Sequence, residues 1–145
     1  MGQVTATTTA QIAAPAQTVF AALADYAQVR PTILPSNYRD YRVDEGGQGA
    51  GTVVHWVLQA TEKRSRDVLA DITVAGDRIT ETDRNSTMVT TYTVTSVGDA
   101  AQVETTTSWK GAGGIGGFFE KTFAPKGLNR IQTELLDNLK SRLEK

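Results

Sequence analysis

The chain of 145 residues contains no cysteine and a single histidine, His55. Disulfides, thiolate nucleophiles, thiolate zinc sites and any catalytic constellation that needs two imidazoles are thereby excluded. Charge of one sign is also lacking: 15 Lys plus Arg stand against 16 Asp plus Glu, a formal net charge of −1. No basic block exceeds Lys63, Arg64 and Arg66 within four positions, so the electrostatic drive toward nucleic acid or an acidic membrane is missing. No apolar run approaches the roughly 20 residues that span a bilayer. The opening MGQVTATTTA has neither the charged nor the apolar region of a secretory leader. These absences lead us to expect a cytoplasmic protein with no nucleic-acid partner, no stable membrane insertion, and neither a metal nor a cofactor.

What is abundant is β-branched: 21 Thr, 13 Val and 6 Ile, concentrated between residues 4 and 107. Such a chain is mostly strand, and its length suits one hydrophobic core, so residues 1–145 are expected to form a single domain. Val4, Ala6, Thr8, Ala10 and Ile12 alternate with Thr5, Thr7, Thr9 and Gln11, the pattern of a half-buried strand. After Pro15, the residues Val19, Phe20, Leu23 and Tyr26 recur at helical spacing, and the helix cannot pass Pro31 intact. A short irregular or helical piece, residues 32–37, follows.

Turn signals then fix a register. Gly76-Asp77 and Gly98-Asp99 read as two-residue hairpin loops with glycine first, and Asn85-Ser86 serves as a third. Counting back from these turns sets Val74 opposite Ile79, Ile79 opposite Tyr92, and Tyr92 opposite Thr105. Ile72, Glu81, Thr90 and Thr107 form the next inward row, and Asp83, Met88 and Trp109 the one after it. Thr73, Thr80, Thr82, Thr91, Thr93, Thr95 and Thr106 fall on the other, solvent face. A three-residue loop at Glu62-Lys63-Arg64 would set Leu58 opposite Val68 and Trp56 opposite Ala70. An earlier strand, Tyr38 to Asp44, is expected to turn Arg39, Tyr41 and Val43 inward. From Phe119 to the end, Phe123, Leu128, Ile131, Leu135, Leu139 and Leu143 keep helical spacing with charges opposite, and Pro125 and Gly127 should bend or break that helix.

The segments ATTTAQIAAPAQTVFAALADY, GGQGAGT and WKGAGGIGGFFEKTFAPKGL running into IQTELLDNLKSRLE are similar to those of the START/Bet v 1-like superfamily, in particular its bacterial polyketide cyclase/dehydrase branch. The resemblance covers essentially the whole chain. It implies an α+β helix-grip fold: a curved antiparallel sheet of about seven strands wrapped on a long C-terminal helix, with a short helix pair after the first strand. It also implies a cavity for an apolar ligand, used within the superfamily for lipid or polyketide carriage, hormone binding, or ring closure and dehydration. Cyclases of the family often carry an aromatic residue in the short helix after the first, whereas VRPTILPSNY here has no Trp.

GAGGIG, residues 111–116, has the G-x-G-x-x-G spacing, but the second parallel strand that a dinucleotide fold needs is absent. We read it as a joint between sheet and helix, with a second reading beside it, in which backbone N–H groups at that helix start bind a ligand's carboxylate or phosphate. His55 falls on the face opposite Trp56 and should point away from the interior. Glu81 and Asp83 are the carboxylates turned inward, each either a poised acid or half of an ion pair with an arginine. Arg66 lies at an inward position beside a hairpin end. Expected around the ligand are Tyr26, Ile33, Tyr41, Trp56, Leu58, Glu81, Met88, Tyr92, Trp109, Phe119 and Phe123, and no residue is assigned a catalytic role. The function expected is binding or carriage of one small apolar or amphipathic molecule, lipid-like or polyketide-like. Two alternatives stand beside it: a cyclase or dehydratase acting in the same space through Glu81 or a tyrosine, and an interaction protein whose interior is filled by its own side chains.

Overall fold

A computed structural model describes residues 3–61, 64–110 and 125–144. Strand β1 (Gln3–Ile12) leads through Pro15 into helix α1 (Ala16–Ala24) and the single turn α2 (Arg30–Ile33). Strands β2 (Tyr38–Glu45), β3 (Val53–Thr61), β4 (Arg64–Ala75), β5 (Arg78–Asp83), β6 (Val89–Val97) and β7 (Ala100–Lys110) follow. Helix α3 (Pro125–Leu143) ends the described chain. The strands form one antiparallel sheet in the order β1-β7-β6-β5-β4-β3-β2, open at β1 and β2. This is the helix-grip arrangement expected from the sequence. The exposed β2 edge carries Arg39, Asp40, Arg42, Asp44 and Glu45, charges that disfavour pairing with another chain's strand.

Most of the register follows the turn chemistry. Gly76 and Gly98 adopt φ of 63° and 62°, the left-handed first position that these two-residue hairpins require. From them come Val74↔Ile79, Ile79↔Tyr92 and Tyr92↔Thr105, together with Ile72↔Glu81, Glu81↔Thr90 and Thr90↔Thr107. Tyr92 and Thr105 are buried, while Thr91, Thr93 and Thr106 are only half-buried on the other face. On that outer face Thr7, Thr106, Thr91, Thr80 and Thr73 line up in one row across five adjacent strands.

Two expectations need correction. The turn between β3 and β4 is tighter than a three-residue loop, because Thr61 pairs with Arg64 and a register shift lies between Gln59 and Thr61. Leu58 therefore faces Arg66, and Trp56 faces Val68. The slip is two residues, so both side chains stay on the inner face. In β2 an extra residue lies between the Arg39 and Arg42 pairings, and Asp40 takes φ of 54°. This bulge resets the alternation: Tyr38 joins Tyr41 and Val43 on the inner side, and Arg39 is turned out beside Gln59. The described part of the last helix starts at Pro125, so the expected bend or break there involves residues outside the described ones.

Helix α3 lays Leu128, Ile131, Leu135, Leu136 and Leu139 against the sheet. Polar contacts fasten it along its length. Thr8 Oγ1 donates to Asn129 Oδ1 (3.1 Å), Asn138 Nδ2 to the Ile33 carbonyl (3.0 Å), and the Ala13 amide to Glu144 Oε2 (2.7 Å). The core between helices and sheet includes Ile12, Val19, Leu23, Ile33, Val54, Ile72, Ile79, Val94 and Val103.

Candidate functional site

Inside this apolar core sits a charged pair. The Arg30 guanidinium and the Glu81 carboxylate are 3.0 Å apart, with 3% and 5% of their side chains exposed. Glu81 comes from the middle of the sheet, and Arg30 opens α2. The segment between the helices is held by the glycine-rich β2–β3 loop. The Gly47 carbonyl accepts from the amides of both Tyr26 (2.9 Å) and Ala27 (3.1 Å), and the Gly49 amide donates to the Ala24 carbonyl (2.8 Å). Gly47 has φ of 139°, and a Cβ there would lie 3.2 Å from Ala27 Cβ, so only glycine lets the loop approach this closely.

Every nitrogen of the Arg30 side chain is engaged. Nε donates to the Leu23 carbonyl (2.8 Å), Nη2 to the Tyr26 hydroxyl (3.1 Å), and Nη1 lies against Glu81 Oε2. Its carbon stands 4.4 Å from the Tyr26 ring centroid and 4.5 Å from that of Tyr92, close enough for both rings to attract the cation. The Tyr26 hydroxyl donates to the same Glu81 Oε2 at 2.6 Å. Glu81 Oε1 is left outside these bonds.

All four tyrosines of the chain meet here. The Tyr41 hydroxyl donates to the Tyr26 carbonyl (2.6 Å), the Tyr92 hydroxyl to Gln132 Oε1 (3.3 Å), and Gln132 Nε2 to the Tyr38 hydroxyl (3.4 Å). The indole of Trp56 packs against Tyr38 and Tyr41, with centroids 5.5 and 6.4 Å away. Burial pushes the Tyr26 and Tyr92 phenols well above their ordinary value, with Glu81 adding to burial and Arg30 opposing it. Tyr38 and Tyr41 move the same way, again chiefly through burial. Burial alone would draw Arg30 down, but Tyr26, Tyr92 and Glu81 together hold it above its ordinary value. The site thus presents neutral phenols, which donate hydrogen bonds and hold their protons.

Among the described residues, Trp56 Nε1 and Thr105 Oγ1 are inward polar atoms without a partner, on residues 4% and 1% exposed. Leaving such groups unsatisfied in an apolar interior costs about 1–3 kcal/mol each. A cavity of about 530 Å³ opens between the α2 region and β2, lined by Ala27, Pro31, Leu34, Pro35, Tyr38, Tyr41 and Val43, with Ser36 and Arg42 at its polar side. Tyr38 and Tyr41 therefore separate this opening from Trp56.

Of the residues singled out from the sequence, Tyr26, Tyr41, Trp56, Glu81 and Tyr92 come together in this cluster. Ile33 and Leu58 are buried in the core, and Met88 and Trp109 are buried on the next row, beside Asp83. Phe119, Phe123 and the 111–116 glycine motif lie outside the described residues. Asp83 is occupied by the β5–β6 turn: its carboxylate accepts from the amides of Leu69 and Asn85 and from the Ser86 hydroxyl. Arg66 is half-buried and donates to the Asn85 carbonyl. His55 sits on the outer face as expected, 9% exposed, with Nε2 2.6 Å from Asp67 Oδ1.

Sequence reasoning passed over Arg30, Tyr38 and Gln132. Gln132 had a signal, as a lone polar residue on the stripe of Leu128, Ile131, Leu135 and Leu139. Arg30 had a weaker one, four residues after Tyr26 and directly before a proline.

A family model described as polyketide cyclase/dehydrase and lipid transport matches residues 3–144. The chain belongs to that family. It is similar over 100% of both chains to the solution structure of the KanY protein, at 54% identity and a TM-score of 0.91. It shares the fold of a START superfamily protein from Mycobacterium smegmatis, at 14% identity and a TM-score of 0.73 over 99% of this chain and 98% of that one. It also shares the fold of the Zhui aromatase/cyclase from Streptomyces sp. R1128, at 18% identity and a TM-score of 0.71 over 99% and 94%. No functionally curated protein matches the chain. Among the described residues, no helix is long and apolar enough to cross a membrane.

Proposed function

We propose that the protein binds and carries one small amphipathic molecule between the inner face of the sheet and the helices, without transforming it. The observation that carries this reading is the pair of buried, unpartnered polar atoms, Trp56 Nε1 and Thr105 Oγ1, on the inner face of the sheet. Buried polar groups are almost always satisfied, and a ligand's own polar atoms would satisfy these. The opening beside Tyr38 and Tyr41 falls within the ordinary size of a small-molecule site, about 300–1,000 Å³. The family's description, with its cyclase and lipid-transport members, agrees with such a role.

The same geometry speaks for carriage over turnover. General acid–base work needs a group whose pKa lies near the working pH. The phenols are held far above it, and Glu81 is clamped by both Arg30 and Tyr26. Native mass spectrometry of freshly purified protein, followed by displacement of a fluorescent apolar probe, tests the reading. A co-purified molecule, or saturable 1:1 probe binding, is the expected result. A bare mass with no probe binding at millimolar concentration would favour a self-filled interior instead, and loss of the bound molecule to a product would favour an enzyme.

A further inference from the structure

The polar floor of this site is balanced, and its balance specifies the ligand. Arg30 is already paired with Glu81 at 3.0 Å, the Tyr26 and Tyr92 rings lie 4.4 and 4.5 Å from its guanidinium carbon, and each of its three nitrogens has a partner. A carboxylate or phosphate would have to compete with Glu81 for this cation. Among the described residues, the remaining inner charges, buried Asp83 and half-buried Arg66, are of opposite sign. An anion entering this face would lose its hydration and gain no uncompensated cation among the described residues. What the floor does offer, among the described residues, is the Glu81 Oε1 acceptor, which takes part in neither bond of that carboxylate, together with two unpartnered groups, Trp56 Nε1–H and the Thr105 hydroxyl.

We propose that the ligand is an uncharged, hydroxyl-bearing molecule whose O–H donates to Glu81 Oε1, and that the Arg30–Glu81 pair acts as a filter against free carboxylic acids. This rests on the binding reading above and adds the chemical class. A charge-neutral pair at the bottom of an apolar site recognises a hydrogen-bond donor, whereas a lone arginine would recognise an anion.

The test uses three probes with one apolar body: 2-naphthalenemethanol, its methyl ether, and 2-naphthoate, titrated calorimetrically into the intact protein at neutral pH. The alcohol should bind about tenfold or more tightly than the naphthoate, and severalfold more tightly than the ether, which lacks the donor. A purely apolar cavity would prefer the ether to the alcohol. In Glu81→Gln the compensation of Arg30 is lost, and the alcohol-to-naphthoate ratio should swing about tenfold or more toward naphthoate. If that variant fails to fold, the double substitution Arg30→Met with Glu81→Met removes both charges, and there the preference for alcohol over ether should vanish. Naphthoate binding as tightly as the alcohol, or ether binding better than the alcohol, in the wild type overturns this inference and leaves the binding reading standing. No binding of any of the three, together with no binding of other apolar probes, overturns the binding reading itself.

Discussion

Tyr26 and Glu81 are 55 positions apart in the chain, yet the tyrosine hydroxyl donates to the carboxylate at 2.6 Å inside the core. The bond ties the segment after α1 to the centre of the sheet, and Arg30 binds the same oxygen. Helices, sheet and candidate site are therefore one mechanical unit, and changes in the site should be read out as stability.

Arg30→Met should destabilise the protein by about 3–5 kcal/mol, because it leaves a buried carboxylate without its cation. Adding Glu81→Met should restore most of that loss, since well-packed apolar residues often replace a buried ion pair at little cost. Urea unfolding of the single and double variants measures both. A single variant as stable as the wild type would mean that the pair is not buried in solution.

Tyr26→Phe should cost about 1.5–3 kcal/mol, the range for a hydrogen bond to a charged group, with little change in the secondary-structure signal. Tyr41→Phe removes a bond to a neutral carbonyl and should cost less, about 0.5–1.5 kcal/mol. The order of the two midpoints is the test, and a reversed order would contradict the geometry.

The register of the inner face was legible because two glycine-led turns and the alternation of Ile72, Val74, Ile79 and Tyr92 agreed with each other. Each strand there pairs through a short loop, so a local count reaches across four strands. The bulge at Asp40, with φ of 54°, was not legible, since one aspartate in a strand of alternating charges marks no break in the pattern. The site was half legible for a related reason. Glu81 and the tyrosines stand on regular elements whose faces can be counted, whereas Arg30 belongs to an irregular joint that a distant glycine loop positions.

That loop gives a further expectation. Gly47→Ala should destabilise by about 1–3 kcal/mol, because φ of 139° suits glycine and the added methyl would press on Ala27. Its effect should extend to the site, weakening any bound apolar probe, because the Gly47 carbonyl holds the amides of Tyr26 and Ala27. Gly76→Ala, at a hairpin whose Cβ would meet nothing, should affect stability through its turn alone and leave probe affinity unchanged.

Alkaline titration provides a separate check. The Tyr26 and Tyr92 phenols are raised above 10.0 in the folded state. Below that pH both states keep the protons, and the full stability is present. Above it the unfolded chain releases protons that the native protein retains, so stability falls as pH rises, by about 1.4 kcal/mol per pH unit for each such phenol. Phenolate absorbance should therefore appear together with loss of structure. Tyr26 and Tyr92 titrating near pH 10 in a still-folded protein would contradict their burial.

The most direct measurement is a two-dimensional amide and indole NMR spectrum of the protein titrated with 2-naphthalenemethanol. The chain has two Trp, and Trp56→Phe assigns the indole resonance of Trp56. The account predicts that this Nε1–H signal, unpartnered in the free protein, moves in a saturable 1:1 manner, together with amides around Tyr26, Glu81 and Thr105. Shifts confined to the threonine-rich outer face, with the Trp56 indole and the inner residues unmoved at saturation, would contradict it.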